Sequence, residues 1–155
     1  GDKDATAERF CEAVEGLSPG ARARLVVEND DKQDLWRVPE LVSEVSDHAG
    51  VPVVFDYHHH SFTDRRYTYR EAFKMAAETW EGIRPAVHYS EPQRLRDPDV
   101  RPQAHAEYVE RVPTWLKKGA DVMIEAGQKE RALLAAREGS KSERRRACRP
   151  ESEAN

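Results

Sequence analysis

Hydrophobic positions along the chain fall into two kinds of pattern that alternate with each other. Continuous apolar runs of the kind found in buried parallel strands occur at residues 24–28, 51–56, 85–88 and 121–125. Between them, apolar residues recur at intervals of three and four positions, which predicts amphipathic helices. The helices are predicted at residues 4–17, 38–48, 68–83, 103–117 and 129–137.

Turn and capping residues divide these segments. The sequence Ser18-Pro19-Gly20 predicts a turn after the first helix, and Gly50 is expected to end the second. Thr68 and Glu71 have the spacing of a capping box, whereas Pro113 predicts a break in the fourth helix. Residues 57–66 and 90–102 are predicted to be polar loops.

Alternation of strands with helices predicts a parallel sheet with right-handed crossovers. Four such units amount to half of a parallel (β/α) barrel of the TIM type, which typically needs about 250 residues. We therefore expect an α/β half barrel over residues 1–138, followed by a basic, disordered tail over residues 139–155. Because four strands leave two open edges, we expect closure to need a missing N-terminal half or a second chain.

Composition narrows the class of protein. The chain has 155 residues, 38% of them hydrophobic and 35% charged, with a formal net charge of −4. An acidic balance argues against nucleic-acid binding driven by bulk charge, although it permits a locally basic surface. The two cysteines, Cys11 and Cys148, do not suggest a disulfide framework. No apolar stretch reaches the roughly 18 residues of a transmembrane helix, so a soluble, cytoplasmic protein is expected.

Each of the four predicted strands ends on a residue that can bind a metal. These residues are Glu28, Asp56, His88 and Glu125. Parallel barrel strands point the same way, so their last residues meet at one rim. His59 follows Asp56 closely enough for a turn to direct both at one ion. The predicted cluster combines imidazole and carboxylate groups, which suit zinc, manganese or iron better than calcium.

Each candidate also has an ordinary structural interpretation. The histidines of residues 58–60 could be exposed loop residues, and His88 a single core histidine. Glu125 could pair with Lys129, and His105 is on sequence grounds more typical of a helix surface. Residues 29–31, Asn-Asp-Asp, are typical of a helix cap and turn. The coincidence of four strand ends favours the metal site.

Metals held by shared carboxylates suit phosphodiester hydrolysis, with sugar isomerisation or epimerisation as a less favoured alternative. The sequence contains no glycine-rich phosphate loop, no G-x-S-x-G motif and no paired Cys-His arrangement. Nucleotide, acyl and thiol chemistries are therefore not supported.

At these residues the chain resembles the UV damage endonuclease family, which is similar to endonuclease IV. The matching stretches are Gly1-Asp2-Lys3, RLVVENDDK (24–32), GVPVVFDYHHH (50–60), VHYSEP (87–92) and DVMIEAGQKE (121–130). The resemblance implies a TIM barrel with two or three metal ions, of the manganese type. It also implies excision repair of double-stranded DNA, nicked on the 5′ side of pyrimidine dimers, 6-4 photoproducts and abasic sites.

The same resemblance assigns roles to individual residues. It implies six metal ligands, namely Glu28, Asp56, His59, His88, His105 and Glu125, with all but His105 acting in catalysis through the metal. For His105 the assignment comes from the stretch H-x-x-Y-V. Expected DNA contacts are Lys32, His60, Arg65, Arg66 and Ser90. The basic residues of the tail are a further, less favoured contact with phosphates.

Two positions depart from the family pattern. Ala86 stands where the family has a carboxylated, metal-associated lysine, and Gly127-Gln128 replaces its usual lysine after M-I-E-A. The family's first half, with two further histidine ligands and the residues that probe the lesion, is expected to be absent. A non-catalytic remnant that serves as a binding scaffold is therefore the main alternative to an active endonuclease.

Overall fold

Four parallel strands form a single sheet in the order β1-β2-β3-β4. The computed structural model describes residues 2–63 and 66–147, with side chains described as far as Gly139. The strands are β1 (Val27–Glu28), β2 (Val53–Asp56), β3 (Ala86–Tyr89) and β4 (Asp121–Ile124). The sheet confirms the predicted order and the parallel direction, and it fits part of a (β/α) barrel.

Helices alternate with the strands, as predicted. They are α1 (Lys3–Glu15), α2 (Pro19–Arg22), α3 (Val38–Leu41), α4 (Asp47–Ala49), α5 (Tyr57–Thr63), α6 (Tyr69–Glu78), α7 (Thr114–Gly119) and α8 (Lys129–Ala147). A π-helical segment, Val42–Ser46, joins α3 to α4, and a 3-10 turn occupies Gln93–Leu95. Gly50 ends α4 in the left-handed conformation, with φ of 64°, as its predicted role as a helix stop requires.

The core lies between the helices and one face of the sheet. Alternate residues of a strand point to opposite faces, so Val53 and Phe55 of β2 enter the core, where both are fully buried. Asp56 and His88, which are partners in the register, point to the other face. Met123, the register partner of His88, is 57% exposed on that face. Helices therefore cover one face of the sheet, and the other face carries Asp56 and His88, whose side chains are of the kind that bind metals.

Capping explains where α6 begins. Thr68 Oγ1 accepts a hydrogen bond from the Glu71 amide at 3.3 Å, and the Glu71 carboxylate accepts one from the Thr68 amide at 2.8 Å. This is the reciprocal arrangement of a capping box, and it confirms the prediction. The helix ends at Glu78, five residues before its predicted end.

Two predicted segments are wrong. Residues 57–63, expected to be loop, form α5, because the Asp56 carboxylate accepts the His59 amide at 2.7 Å and so caps the first turn of a helix. Residues 103–112, expected to be helical, form an irregular segment, because backbone hydrogen bonds tie residues 104 and 106 to the segment after β3. The Ala106 amide donates to the Glu91 carbonyl and the Gln93 amide to the Ala104 carbonyl, both at 2.8 Å.

The last helix continues past its predicted end at residue 137 to Ala147. It therefore covers the first part of the segment expected to be a disordered tail, while residues 148–155 lie outside the described residues. The division at residue 138 stays a prediction. In the described part of the chain, no helix is both long and apolar enough to cross a membrane.

Candidate metal centre

Three strand ends bring Glu28, Asp56 and His88 together at the carboxyl edge of the sheet. One ligand atom from each of the three lies within 4.8 Å of the other two. His88 Nδ1 is 3.1 Å from Glu28 Oε1. The parallel register puts Asp56 directly beside His88, so the proximity follows from strand pairing.

Glu125 and His105 extend this group on the side of β4. Glu125 follows the strand, and its amide donates to the Tyr89 carbonyl at 2.9 Å. Its carboxylate oxygens lie 3.4 Å from His88 Nδ1 and 3.7 Å from His105 Nδ1. His88 thus lies between the carboxylates of Glu28 and Glu125.

His59 completes the set from the first turn of α5. Its amide donates to Asp56 Oδ1 at 2.7 Å, so the three-residue spacing becomes one helical turn. Its ring Nδ1 is 2.8 Å from the Asn29 carbonyl oxygen and 3.3 Å from Glu28 Oε1. All six sequence-predicted ligands therefore lie in one continuous group, which we call the ligand cluster.

Burial and neighbouring charges perturb the ionisation of the cluster. Asp56 is 0% exposed, and burial raises its pKa to about 7, with the Glu28 charge acting in the same direction. Burial would also raise the pKa of Glu28, but His88 and His59 beside it lower that pKa overall. The Glu28 carboxylate raises the pKa of His88 against the opposite effect of burial.

These residues fit a divalent cation. Among the described residues, the buried Asp56 Oδ2 has no hydrogen-bond partner, and the buried His88 Nδ1 has only the Glu28 and Glu125 carboxylates near it, at 3.1 and 3.4 Å, without a well-aligned hydrogen bond. Burying such groups costs free energy unless they are paired or bound to a cation. Mixed nitrogen and carboxylate donors are those of zinc, manganese and iron sites.

Two of the predicted DNA contacts, His60 and Ser90, are buried in this structure. His60 is 4% exposed, lies against Phe55 and Tyr69, and has Nε2 at 3.0 Å from the Tyr67 carbonyl oxygen. Ser90 is 1% exposed, and its hydroxyl donates to the Glu91 carbonyl. Both side chains are enclosed by the protein's own residues, so in this structure neither presents a surface to DNA.

The other predicted DNA contacts are basic residues. Lys32 and Arg66 are exposed, and the Arg66 guanidinium lies 5.9 Å from the centre of the Tyr67 ring. Arg65 lies outside the described residues. DNA binding by these three residues stays a prediction.

Two buried residues of the site were not predicted to have roles. Asn29, 1% exposed, bonds the backbone of Asp56 through its side chain. His58 is also 1% exposed, and burial lowers its pKa to about 4. In the sequence, the only indication of these roles is position: Asn29 directly follows Glu28, and His58 is two residues after Asp56. Asparagine is also common in turns, and His58 is one of three consecutive histidines, so neither residue stands out.

Ala86 lies on the same strand face as His88, two residues earlier on β3. Its methyl group supplies no ligand atom. Ala86, where the sequence departs from the expected lysine, is therefore the neighbour of His88 on this face of β3.

Known proteins match this chain over most of its length. A family model, UV-endonuclease UvdE, matches residues 1–147. The UV-damage endonuclease of Neurospora crassa is 37% identical over 86% of this chain and 22% of its own length. The UV DNA damage endonuclease of Bacillus cereus strain Q1 is 32% identical over 86% of this chain and 43% of its own.

A solved structure matches as well. The crystal structure of SacUVDE aligns with a TM-score of 0.73 at 29% identity, covering 89% of this chain and 46% of that one. The chain thus spans between 22% and 43% of the length of these two curated relatives. On the match over residues 1–147, this chain belongs to the UV-endonuclease UvdE family.

Proposed function

We propose that this chain supplies the metal-binding side of an endonuclease that hydrolyses DNA phosphodiester bonds beside UV lesions. The convergence of Glu28, Asp56 and His88 from three strands supports this proposal most strongly. The buried, unpartnered Asp56 Oδ2 lies within that group. Membership of the UvdE family gives the group its chemical context.

The ligand cluster divides into two parts that share His88. Glu28 and Asp56 would hold one cation with His88 and His59, while Glu125 and His105 would contribute to a second. Manganese is the ion we propose, with two or three in the complete site. A bound divalent cation lowers the pKa of a water molecule and neutralises charge on a phosphate.

The residues have different tasks in holding such ions. Burial and the hydrogen bond from the His59 amide fix the Asp56 side chain, so its other oxygen, Oδ2, would not need to reorient to bind a cation. Glu28 lies within 3.3 Å of both His59 and His88, which places its carboxylate in the middle of the cluster. Preorganised ligands of this kind avoid an ordering cost on binding.

The proposed substrate is damaged double-stranded DNA, in excision repair in the cytoplasm at the nucleoid. Lesions would include pyrimidine dimers, 6-4 photoproducts and abasic sites. Nicking on their 5′ side would leave a 3′-hydroxyl and a 5′-phosphate. Lys32, Arg65 and Arg66 are the proposed phosphate contacts.

Completion of the barrel is part of the proposal. Met123, 57% exposed, lies on the sheet face that carries Asp56 and His88. Further strands, from an N-terminal half or from a second chain, would cover this face. They would also bring the residues that read the lesion.

The test is nicking of UV-irradiated duplex DNA by this chain joined to the remaining strands of its barrel. We expect manganese-dependent nicks in irradiated DNA and none in unirradiated DNA. Asp56→Ala and Glu125→Ala should each lower the rate by orders of magnitude, since each removes a ligand. Asp121→Asn is the matched control, because Asp121 begins β4 at the opposite edge and is 75% exposed. Absence of nicking by the complete, metal-bound barrel would reject the proposal.

A binding scaffold without cleavage is the second candidate, and Ala86 is the observation that favours it. The methyl group next to His88 cannot provide the oxygens of a carboxylated lysine. The scaffold predicts that the same complete barrel binds manganese and irradiated DNA while leaving the strands intact. The nicking assay with a parallel binding measurement therefore separates the two functions.

A further inference from the structure

Asn29 joins the ends of β1 and β2 through its side chain. Its Oδ1 accepts a hydrogen bond from the Asp56 amide at 2.8 Å, and its Nδ2 donates to the Asp56 carbonyl at 3.1 Å. The paired register of these strands ends at Glu28 and Val54. The side-chain amide of Asn29 thus makes the hydrogen bonds to the Asp56 backbone that a residue of β1 would make if the strand pairing continued.

The backbone of the same residue faces a second member of the ligand cluster. The Asn29 carbonyl oxygen lies 2.8 Å from His59 Nδ1. A carbonyl can only accept a hydrogen bond, so Nδ1 must carry the proton that this contact needs. In the neutral ring, the other nitrogen, Nε2, then keeps its lone pair, which is the form that binds a metal.

Asn29 therefore contacts two proposed ligands, Asp56 through its side chain and His59 through its backbone carbonyl. Asp56 receives its backbone position from the Asn29 side chain, and its carboxylate in turn accepts the His59 amide. His59 receives its tautomer from the Asn29 carbonyl. Asn29 is also the residue directly after Glu28, so it is connected to three of the proposed ligands: Glu28 through the peptide bond, and Asp56 and His59 through hydrogen bonds.

We propose that Asn29 is a positioning residue that fixes the Asp56 backbone and the His59 ring tautomer for cation binding. The inference rests on the proposed metal function of the ligand cluster. It assigns no contact between Asn29 and the ion. It predicts that loss of the side chain weakens metal binding beyond what a loss of stability explains.

Thr79, the residue that follows α6, provides a matched comparison because its side chain bonds the other end of β2. Its Oγ1 accepts a hydrogen bond from the Val53 amide at 2.9 Å and donates to the Ala76 carbonyl at 2.6 Å. Thr79 thus supports the first residue of β2, whereas Asn29 supports the last. Thr79→Val removes side-chain hydrogen bonds to the backbone at the end of β2 away from the ligand cluster.

The first measurement is manganese affinity of the 155-residue chain by titration calorimetry. We expect Asn29→Ala to lower the affinity by about 10- to 100-fold, the usual effect of losing a group that orients metal ligands. Thr79→Val should leave the affinity nearly unchanged at a similar loss of thermal stability. Equal affinities of the two variants would overturn the proposal.

The second measurement is the ring tautomer of His59 from ¹⁵N NMR, in metal-free protein above neutral pH. The unsubstituted chain should show the Nδ1–H tautomer, and Asn29→Ala should keep it, because alanine retains the backbone carbonyl that faces Nδ1. A dominant Nε2–H tautomer in the unsubstituted chain would overturn the proposal even if the variant does not fold. Failure of the unsubstituted chain to bind manganese would instead count against the proposed function, because the tautomer is read without metal.

Discussion

At the scale of single residues, Asp56 is the most constrained group of the site. Its side chain is fully buried, one carboxylate oxygen accepts the His59 amide, and the other has no hydrogen-bond partner among the residues that the structure describes. Such a group in the absence of a cation favours its neutral form, which is the cause of its raised pKa. A cation bound at the proposed site would therefore displace a proton from Asp56 at acidic pH.

The pH dependence of stability is the first prediction. The folded pKa of Asp56, about 7, lies above the value of about 3.9 expected in the unfolded chain. Between these values the folded state binds more protons, so the free energy of unfolding of metal-free protein falls as pH rises. One group contributes a slope of at most about 1.4 kcal/mol per pH unit.

Asp56→Asn should lose this contribution, because the amide stays neutral throughout. Urea unfolding in the presence of a chelator, at several pH values from 4 to 7, measures the difference between the two proteins. Asp121→Asn, which alters an exposed aspartate, should keep the slope of the unsubstituted chain. The same slope in Asp56→Asn would show that Asp56 ionises normally.

At the scale of elements, the segment after β3 decides where His105 lies. Glu91 anchors this segment, because its carboxylate accepts the amides of Glu110 and Arg111 at 2.9 and 3.0 Å and the Arg96 guanidinium at 2.9 Å. The Glu91 backbone carbonyl holds Ala106, the residue after His105. Glu91 thus holds the segment 103–112 at two places, at Ala106 through its backbone and at Glu110 and Arg111 through its side chain.

Substitution of Glu91 is the second prediction. Glu91→Ala should lower the free energy of unfolding by about 1–3 kcal/mol, since it leaves backbone amides without their acceptor. It should also speed hydrogen exchange of the Arg111 amide, whereas the Ala106 amide should stay protected because the substitution keeps the Glu91 backbone carbonyl. Glu110→Ala is the control, because Glu110 contacts the same Arg96 but its side chain is 79% exposed. Unchanged exchange in Glu91→Ala would contradict the anchoring role.

At the scale of the whole molecule, the ligand cluster connects elements that are distant in the sequence. Glu28, Asp56 and His88 belong to three strands, and Glu125 follows the fourth. A cation held by these residues would link the strands at one edge of an open sheet. Metal binding and folding are therefore expected to be coupled.

Stabilisation by metal is the third prediction. At a free manganese concentration of 100 times Kd, the folded state should gain about 2.7 kcal/mol. Thermal unfolding at increasing manganese concentration should show a rising Tm for the unsubstituted chain and for Asp121→Asn. Glu28→Gln should show little rise, because it removes the carboxylate between His59 and His88. A Tm independent of manganese in the unsubstituted chain would contradict the proposed site.

Much of the fold was predictable because its signals are local. Apolar runs and helical spacing identified all four strands, and the Thr68–Glu71 pair identified the start of α6. Local patterns failed at residues 57–63 and 103–112. At residues 103–112, contacts with the segment after β3 outweigh the intrinsic preference of the residues, as in the bridge between Pro92 and His105.

By itself, the sequence determined the order of the strands, their parallel direction and the residue type at each strand end. These follow from periodicity and from the crossover length that parallel strands require. Only the tertiary structure decided that His60 and Ser90 are buried, and that Asn29 bonds Asp56 across 27 residues of chain. Burial and side-chain hydrogen bonding depend on which segments meet in space, and a local sequence pattern does not contain that information.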